Sequence, residues 1–226
     1  MKGYRKSIFL ALGLLVLAAA ACEKPEQDSK TDQDAKTEQD SKTEQDSKPE
    51  QKKGQLSLKT NELDVKSWDK WIYFSLKDNK VVEVTDPMTD TKWDLGFHLF
   101  DLKTNGGEST SCGAKGAAAK TEYTEIKEGI KVDGVEWVTD VKGIGVLWDM
   151  MGSKDKNEPI NTSLTNNIIK MGKGMPPSLE ASQKVWLIKD AEGKVVAFRV
   201  KSFGYEPDAD GKRQMMLKFE YSYLPE

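Results

Sequence analysis

Histidine occurs once in this 226-residue chain, at position 98, and cysteine only twice, at positions 22 and 112. A nucleophilic site of the Ser-His-Asp or Cys-His kind would have to be assembled around His98, and a zinc site lacks its usual ligands. His98 stands between Phe97 and Leu99 in an alternating segment, on the face of Asp94, Gly96 and Phe100. A hydrogen-bonded structural role suits it better than catalysis. The chain also lacks a block of basic residues and carries a formal charge of -3, which speaks against nucleic acid or an anionic lipid surface as a partner. There is no phosphate loop: Asn105-Gly-Gly-Glu108 is followed by neither a Lys-Ser pair nor a helix signal, and reads as a flexible loop. Asp208-Ala-Asp-Gly211 lacks the further acids of an EF-hand and reads as a turn. No carboxylate spacing points to glycoside hydrolysis. The chain reads as a protein that catalyses nothing.

Large apolar side chains are missing altogether from Pro25 to Gln55. Within that stretch residues 27–50 form a hexapeptide repeat, from Gln27-Asp-Ser-Lys-Thr-Asp32 to Gln45-Asp-Ser-Lys-Pro-Glu50. A segment with nothing to bury cannot offset the entropy of ordering its backbone, so a flexible tether is expected. About 30 such residues span roughly 30 Å.

What precedes the tether is an address. A basic Met1–Lys6 is followed by an apolar run from Ile8 to Ala21, too short for an ordinary membrane-spanning helix and proportioned like a secretory signal. Cys22 directly after Ala19-Ala20-Ala21 resembles the lipobox of bacterial lipoproteins, whose thiol is acylated, although Ala19 replaces the usual Leu. The organisation expected is a signal peptide over 1–21, a lipidated N-terminus and linker over 22–55, and one β domain over 56–226. Cleavage takes Lys2, Arg5 and Lys6 from the 34 basic residues and none from the 37 acidic ones. Membrane attachment then comes from the lipid on Cys22. Cys112 is the remaining thiol, so no intrachain disulfide forms and the fold relies on its core.

The strongest signals after Leu56 are strands. Trp71–Leu76 and Lys80–Thr85 flank Lys77-Asp-Asn79 as a hairpin; Lys184–Lys189 and Lys194–Val200 flank Asp190-Ala-Glu-Gly193 as another. Trp93, Leu95, Phe97 and Leu99 alternate along a longer strand, and Arg213–Tyr223 closes the chain. Only residues 114–128 look helical. The fold class expected is all-β, an antiparallel sheet domain with few short helices.

The methionines stand out by position. Met150 and Met151 follow an apolar segment, Gly145–Asp149, that reads as a strand, and Met171 and Met175 lie in Lys170-Met-Gly-Lys-Gly-Met-Pro-Pro177. Core residues normally lie inside strands, as Met215-Met216 do. Loop thioethers are either gap-fillers or soft ligands that suit haem iron or Cu(I).

From Trp68 onward the chain resembles the HmuY-like haem-binding lipoproteins of Bacteroidetes. The resemblance rests on Trp71–Ser75, Val82–Asp86, Trp93–His98, Asn105–Ser109, Val185–Gly193 and Leu217–Tyr223, in that order behind a signal peptide and a cysteine. It implies an all-β domain that holds haem b between loops at one end and passes it to a TonB-dependent outer-membrane transporter. The founding member uses two axial histidines. Here His98 matches the family's strand histidine in Trp-Asp-x-x-x-His, which is not a ligand, whereas relatives replace the histidines with methionines. The two ligand loops correspond to residues 148–158 and 170–178. The resemblance therefore implies Met175 from the second loop and Met151 or Met150 from the first, with Met171 in reserve. Trp148 and Phe203 are candidates to line the porphyrin, and Lys170 or Lys173 to meet its propionates. The implied location is the outer membrane at the cell surface, with release and homo-oligomer formation left open. The competing reading is a surface adhesion or glycan-binding module that keeps the fold without haem.

Overall fold

The computed structural model describes residues 56–165, 167–174 and 177–225. Cys22, the signal segment, the repeat linker and Met175 lie outside the described residues. In chain order the strands begin with β1 (Lys59–Asp64), β2 (Ile72–Ser75), β3 (Lys80–Val82), β4 (Leu95–His98), β5 (Asp101–Thr104), β6 (Ala117–Tyr123) and β7 (Trp137–Val138). Then follow β8 (Val141–Gly143), helix α1 (Val146–Met150), β9 (Glu158–Ile160), helix α2 (Thr162–Thr165), β10 (Ile169–Met171), β11 (Leu179–Ala181), β12 (Val185–Lys189), β13 (Val195–Pro207) and β14 (Arg213–Tyr223). The fold is all-β and antiparallel, with only short helices, as the strand pattern predicts.

A six-stranded sheet in the order β1-β14-β13-β12-β6-β7 faces a four-stranded sheet in the order β3-β2-β4-β5. Aromatic rings join them: Phe219 of β14 packs on Phe74 of β2 and Phe97 of β4, at 5.2 and 5.6 Å between centroids. Strand alternation divides β12 between two apolar clusters. Trp186 and Ile188 enter this main core, while Val185 and Leu187 point to the other face, where Ile126, Ile130, Val132 and Val135 cover them. Both faces are buried, which explains the unbroken apolar run in the sequence.

Four expectations are corrected here. Residues 117–123 form β6 instead of a helix, because the small Ala117, Ala118 and Ala119 fit between β12 and β7, and sheet pairing outweighs alanine's helix propensity. Gly145–Asp149 is not a strand: Val146–Met150 is helical, and the Asp101 carboxylate accepts the Val146 N–H at 2.7 Å to cap it. A Cβ on Gly145 would collide with that carboxylate. The run through Leu99 is broken, because Leu99 adopts φ 50° and turns β4 into β5. Asn105-Gly-Gly is not a flexible loop: Asn105 is buried, its Nδ2 donates to the carbonyls of Asp90 and Trp93, and Gly106 lies too close to Gly116 for any side chain.

One buried charge in the smaller sheet yields a test. Lys103 is 5% exposed and has Trp71, Tyr73 and Trp93 rings around Nζ at 4.2, 5.0 and 5.5 Å, with Gly96 leaving room for its stem. Burial pushes its amine down from 10.5 to about 8, against the pull of the Asp140 and Glu158 carboxylates. Between those two values the unfolded chain holds the extra proton, so Lys103 makes stability rise with pH, by about 3 kcal/mol over the full window. We expect Lys103→Met to match or exceed the parent at pH 7 in urea unfolding and to lose that alkaline rise. A variant clearly weaker at pH 7 would show that the aromatic cage outweighs desolvation.

Candidate functional site

Helix α1 stands at the edge of the core and presents each side chain differently. Leu147 points inward and is buried; Trp148 turns toward His98, 5.9 Å away between ring centroids. Met150 and Met151, at the end of the helix, are 53% and 58% exposed. Those thioethers border an apolar groove of about 220 Å³, whose other walls are Trp68, Phe100, Leu147, Pro177, Leu179 and Tyr205. Trp68 and Tyr205 are themselves about half exposed, at 52% and 53%. Large apolar side chains left this open and gathered in one place mark a binding surface.

Each wall has a local cause. Pro177 and Leu179 come from the β10–β11 hairpin, in which Met171 pairs with Leu179. Phe100 follows the left-handed Leu99, which throws it out of the sheet and onto Phe203 at 5.6 Å. Tyr205 lies near the end of β13, beyond the register shift between Val200 and Ser202. Trp68 is held through its backbone, where the carbonyl lies 3.0 Å from His98 Nε2.

Of the residues named from the sequence, Met150 and Met151 meet at the groove. Met171 is partly buried and packs against the main core, and Met175 lies outside the described residues. Phe203 does not line the groove; it is 5% exposed and sits one layer behind Phe100. Trp148 does not line it either, since its ring faces His98. Lys170 and Lys173 are exposed and are not groove residues. Trp68 and Tyr205 went unrecognised, though each is an aromatic set in a polar stretch, Lys66-Ser-Trp-Asp-Lys70 and Gly204-Tyr-Glu-Pro207.

Electrostatically the groove floor is quiet. Among the described residues no group of three or more His, Cys, Asp or Glu is placed to hold a metal ion. The donors at the rim are neutral sulfurs. Asp101, behind α1, has its carboxyl raised by burial, against the pull of the Val146 N–H and of His98.

The fold and site define an all-β antiparallel protein with an open apolar groove rimmed by thioethers. Residues 67–221, more than half of the chain, match the family model described as HmuY protein, and the chain belongs to the HmuY-like haem-binding family found in Bacteroidetes. A solved structure described as an HmuY-like heme binding protein, from Bacteroides vulgatus, is 25% identical with a TM-score of 0.51; the match covers 75% of this chain and 93% of that one. The apo HmuY analog of Tannerella forsythia shares the fold at 18% identity and a TM-score of 0.53, over 76% of this chain and 98% of its own. A lipoprotein from Bacteroides fragilis shares it at 23% identity and a TM-score of 0.50, over 75% and 90%. No curated protein sequence matches the chain.

Proposed function

We propose that this protein is a non-catalytic haem-capture lipoprotein that takes haem b into the apolar groove. The observation that carries the reading is the pair of exposed thioethers, Met150 and Met151, at the rim of that groove. Family membership supports it. Two thioether sulfurs would hold the haem iron. Met151 or Met150, at the end of α1, would supply one and Met175, which lies between β10 and β11 in sequence, the other, with Met171 in reserve. Trp68, Phe100 and Tyr205 supply flat apolar contact and exclude water from one side of the ring. A groove of about 220 Å³ is smaller than the roughly 300–1,000 Å³ of sites that enclose such ligands.

Neutral sulfur donors favour Fe(II), because axial methionine raises the haem potential. The acylated Cys22 and the repeat linker would hold the domain near the outer membrane, within reach of a TonB-dependent transporter that receives the haem. Titration of the purified domain with haem should shift the Soret band, with tighter binding after dithionite. No shift in either redox state would overturn the haem reading and leave the adhesion or glycan-binding alternative.

A further inference from the structure

His98 is the chain's one histidine, and it lies between two walls of the groove. It is buried at the end of β4, and its Nε2 is 3.0 Å from the Trp68 carbonyl. A carbonyl oxygen only accepts, so Nε2 carries the proton and Nδ1 is left as a bare acceptor. Nδ1 is buried and has no hydrogen-bond partner. On the neighbouring ring, Trp148 Nε1 is also buried and without a partner. An indole N–H only donates. The two buried orphans are thus a complementary donor and acceptor on adjacent rings, in a class of atoms that native proteins almost always pair.

We infer that Trp148 Nε1–H and His98 Nδ1 are linked through one bridging water, and that His98 is a proton-sensitive positioning residue. Through Nε2 it holds the Trp68 wall; through Nδ1 it holds α1, the helix that ends in Met150 and Met151. Protonation turns Nδ1 into a donor, the bridging water then faces two donors, and the link to α1 is weakened. The charged groups around the ring act in both directions. Asp101 on β5, which caps α1 and feels the charge of His98, is drawn toward an imidazolium. Glu158 on β9 holds Trp71, which packs on the other side of His98 at 5.3 Å. Lys103 lies over Trp71 and Lys156 over Trp148, and both oppose added positive charge. Asp69 beside Trp68 and Asp149 in α1 are exposed on the two walls.

The consequence for haem rests on the function proposed above; the link itself does not. Because the chain has one histidine, its imidazole nitrogens are unambiguous in ¹⁵N NMR. The expected result is an Nε2–H tautomer at neutral pH. One indole N–H signal, missing from Trp148→Phe, should move in step with the imidazole titration. In haem titrations the affinity of the parent should fall about tenfold, the worth of one hydrogen bond, across the imidazole transition that the NMR titration records. His98→Gln, which accepts and donates without titrating, should flatten that profile. An Nδ1–H tautomer, or a Trp148 signal indifferent to the titration, would overturn the inference. Absence of haem binding alongside a coupled NMR titration would instead defeat only the haem reading.

Discussion

Asp140→Ala is expected to cost the domain about 4 kcal/mol and lower Tm by about 10 °C. Asp140 is buried between β7 and β8 and collects four donors. Its Oδ2 accepts the Thr104 N–H at 2.8 Å and the Ser109 hydroxyl at 2.6 Å; its Oδ1 accepts the Thr104 hydroxyl at 2.7 Å and Asn161 Nδ2 at 3.0 Å. Those partners come from β5, the short helical turn Gly107–Ser109 and the residue before α2, so one carboxylate ties three segments together. Removing it strands four buried donors, and each unmade bond costs about 1–3 kcal/mol with less than full additivity. Burial also pushes the Asp140 carboxyl up from 3.8 to about 6, against the pull of those donors. A raised carboxyl contributes stability that is present below its unfolded value and is lost as pH rises through the folded one. On this account the parent gains about 1 kcal/mol from Asp140 between pH 7 and pH 5, and D140A lacks that increment. Urea unfolding at the two pH values measures both effects. A loss of under about 1 kcal/mol at pH 7 would mean that water replaces the carboxylate.

The second large effect concerns the ligand. Loss of a partner one shell outside a metal typically costs 10–100-fold in affinity, so removing an axial sulfur should cost about 100-fold or more for reduced haem. We expect Met151→Ala or Met150→Ala, whichever supplies the α1 ligand, and Met175→Ala each to weaken dithionite-reduced haem binding on that scale. Combining the ligand substitutions should abolish the reduced spectrum. Met88→Ala, at an exposed methionine that is not a groove residue, serves as the control and should change nothing. Parental affinity and spectra in all the loop variants would refute thioether ligation, while the Soret titration would still report whether haem enters by another route.

How much of this was legible in the sequence depended on where each signal came from. The Val185–Lys189 and Val195 hairpin and the long Arg213–Tyr223 strand were readable because alternation, β-branched residues and Gly/Asp turns agree locally. Ala117–Tyr123 was not, since alanine's local preference is helical and only the partners β12 and β7 make it a strand. Helix α1 was not readable either. Its cap is Asp101, 45 residues away in sequence, so no window around Val146 contains the signal.

The same division holds for the site. Met150 and Met151 stood out because they follow an apolar segment instead of lying inside it, and the structure leaves both thioethers open at a groove. Phe203 and Trp148 were misplaced because their neighbours in space, Phe100 and His98, are remote in sequence.

By itself the sequence determined the all-β class and argued against most histidine- and cysteine-based chemistry, because strand period and inventory are local properties, and the order of its short motifs carried the resemblance to the family. The tertiary structure alone decided that Trp68, Phe100, Met150, Met151 and Tyr205 share one groove and that His98 stands behind it. Contacts between distant strands set those positions, and a packed core leaves each side chain only one place to go.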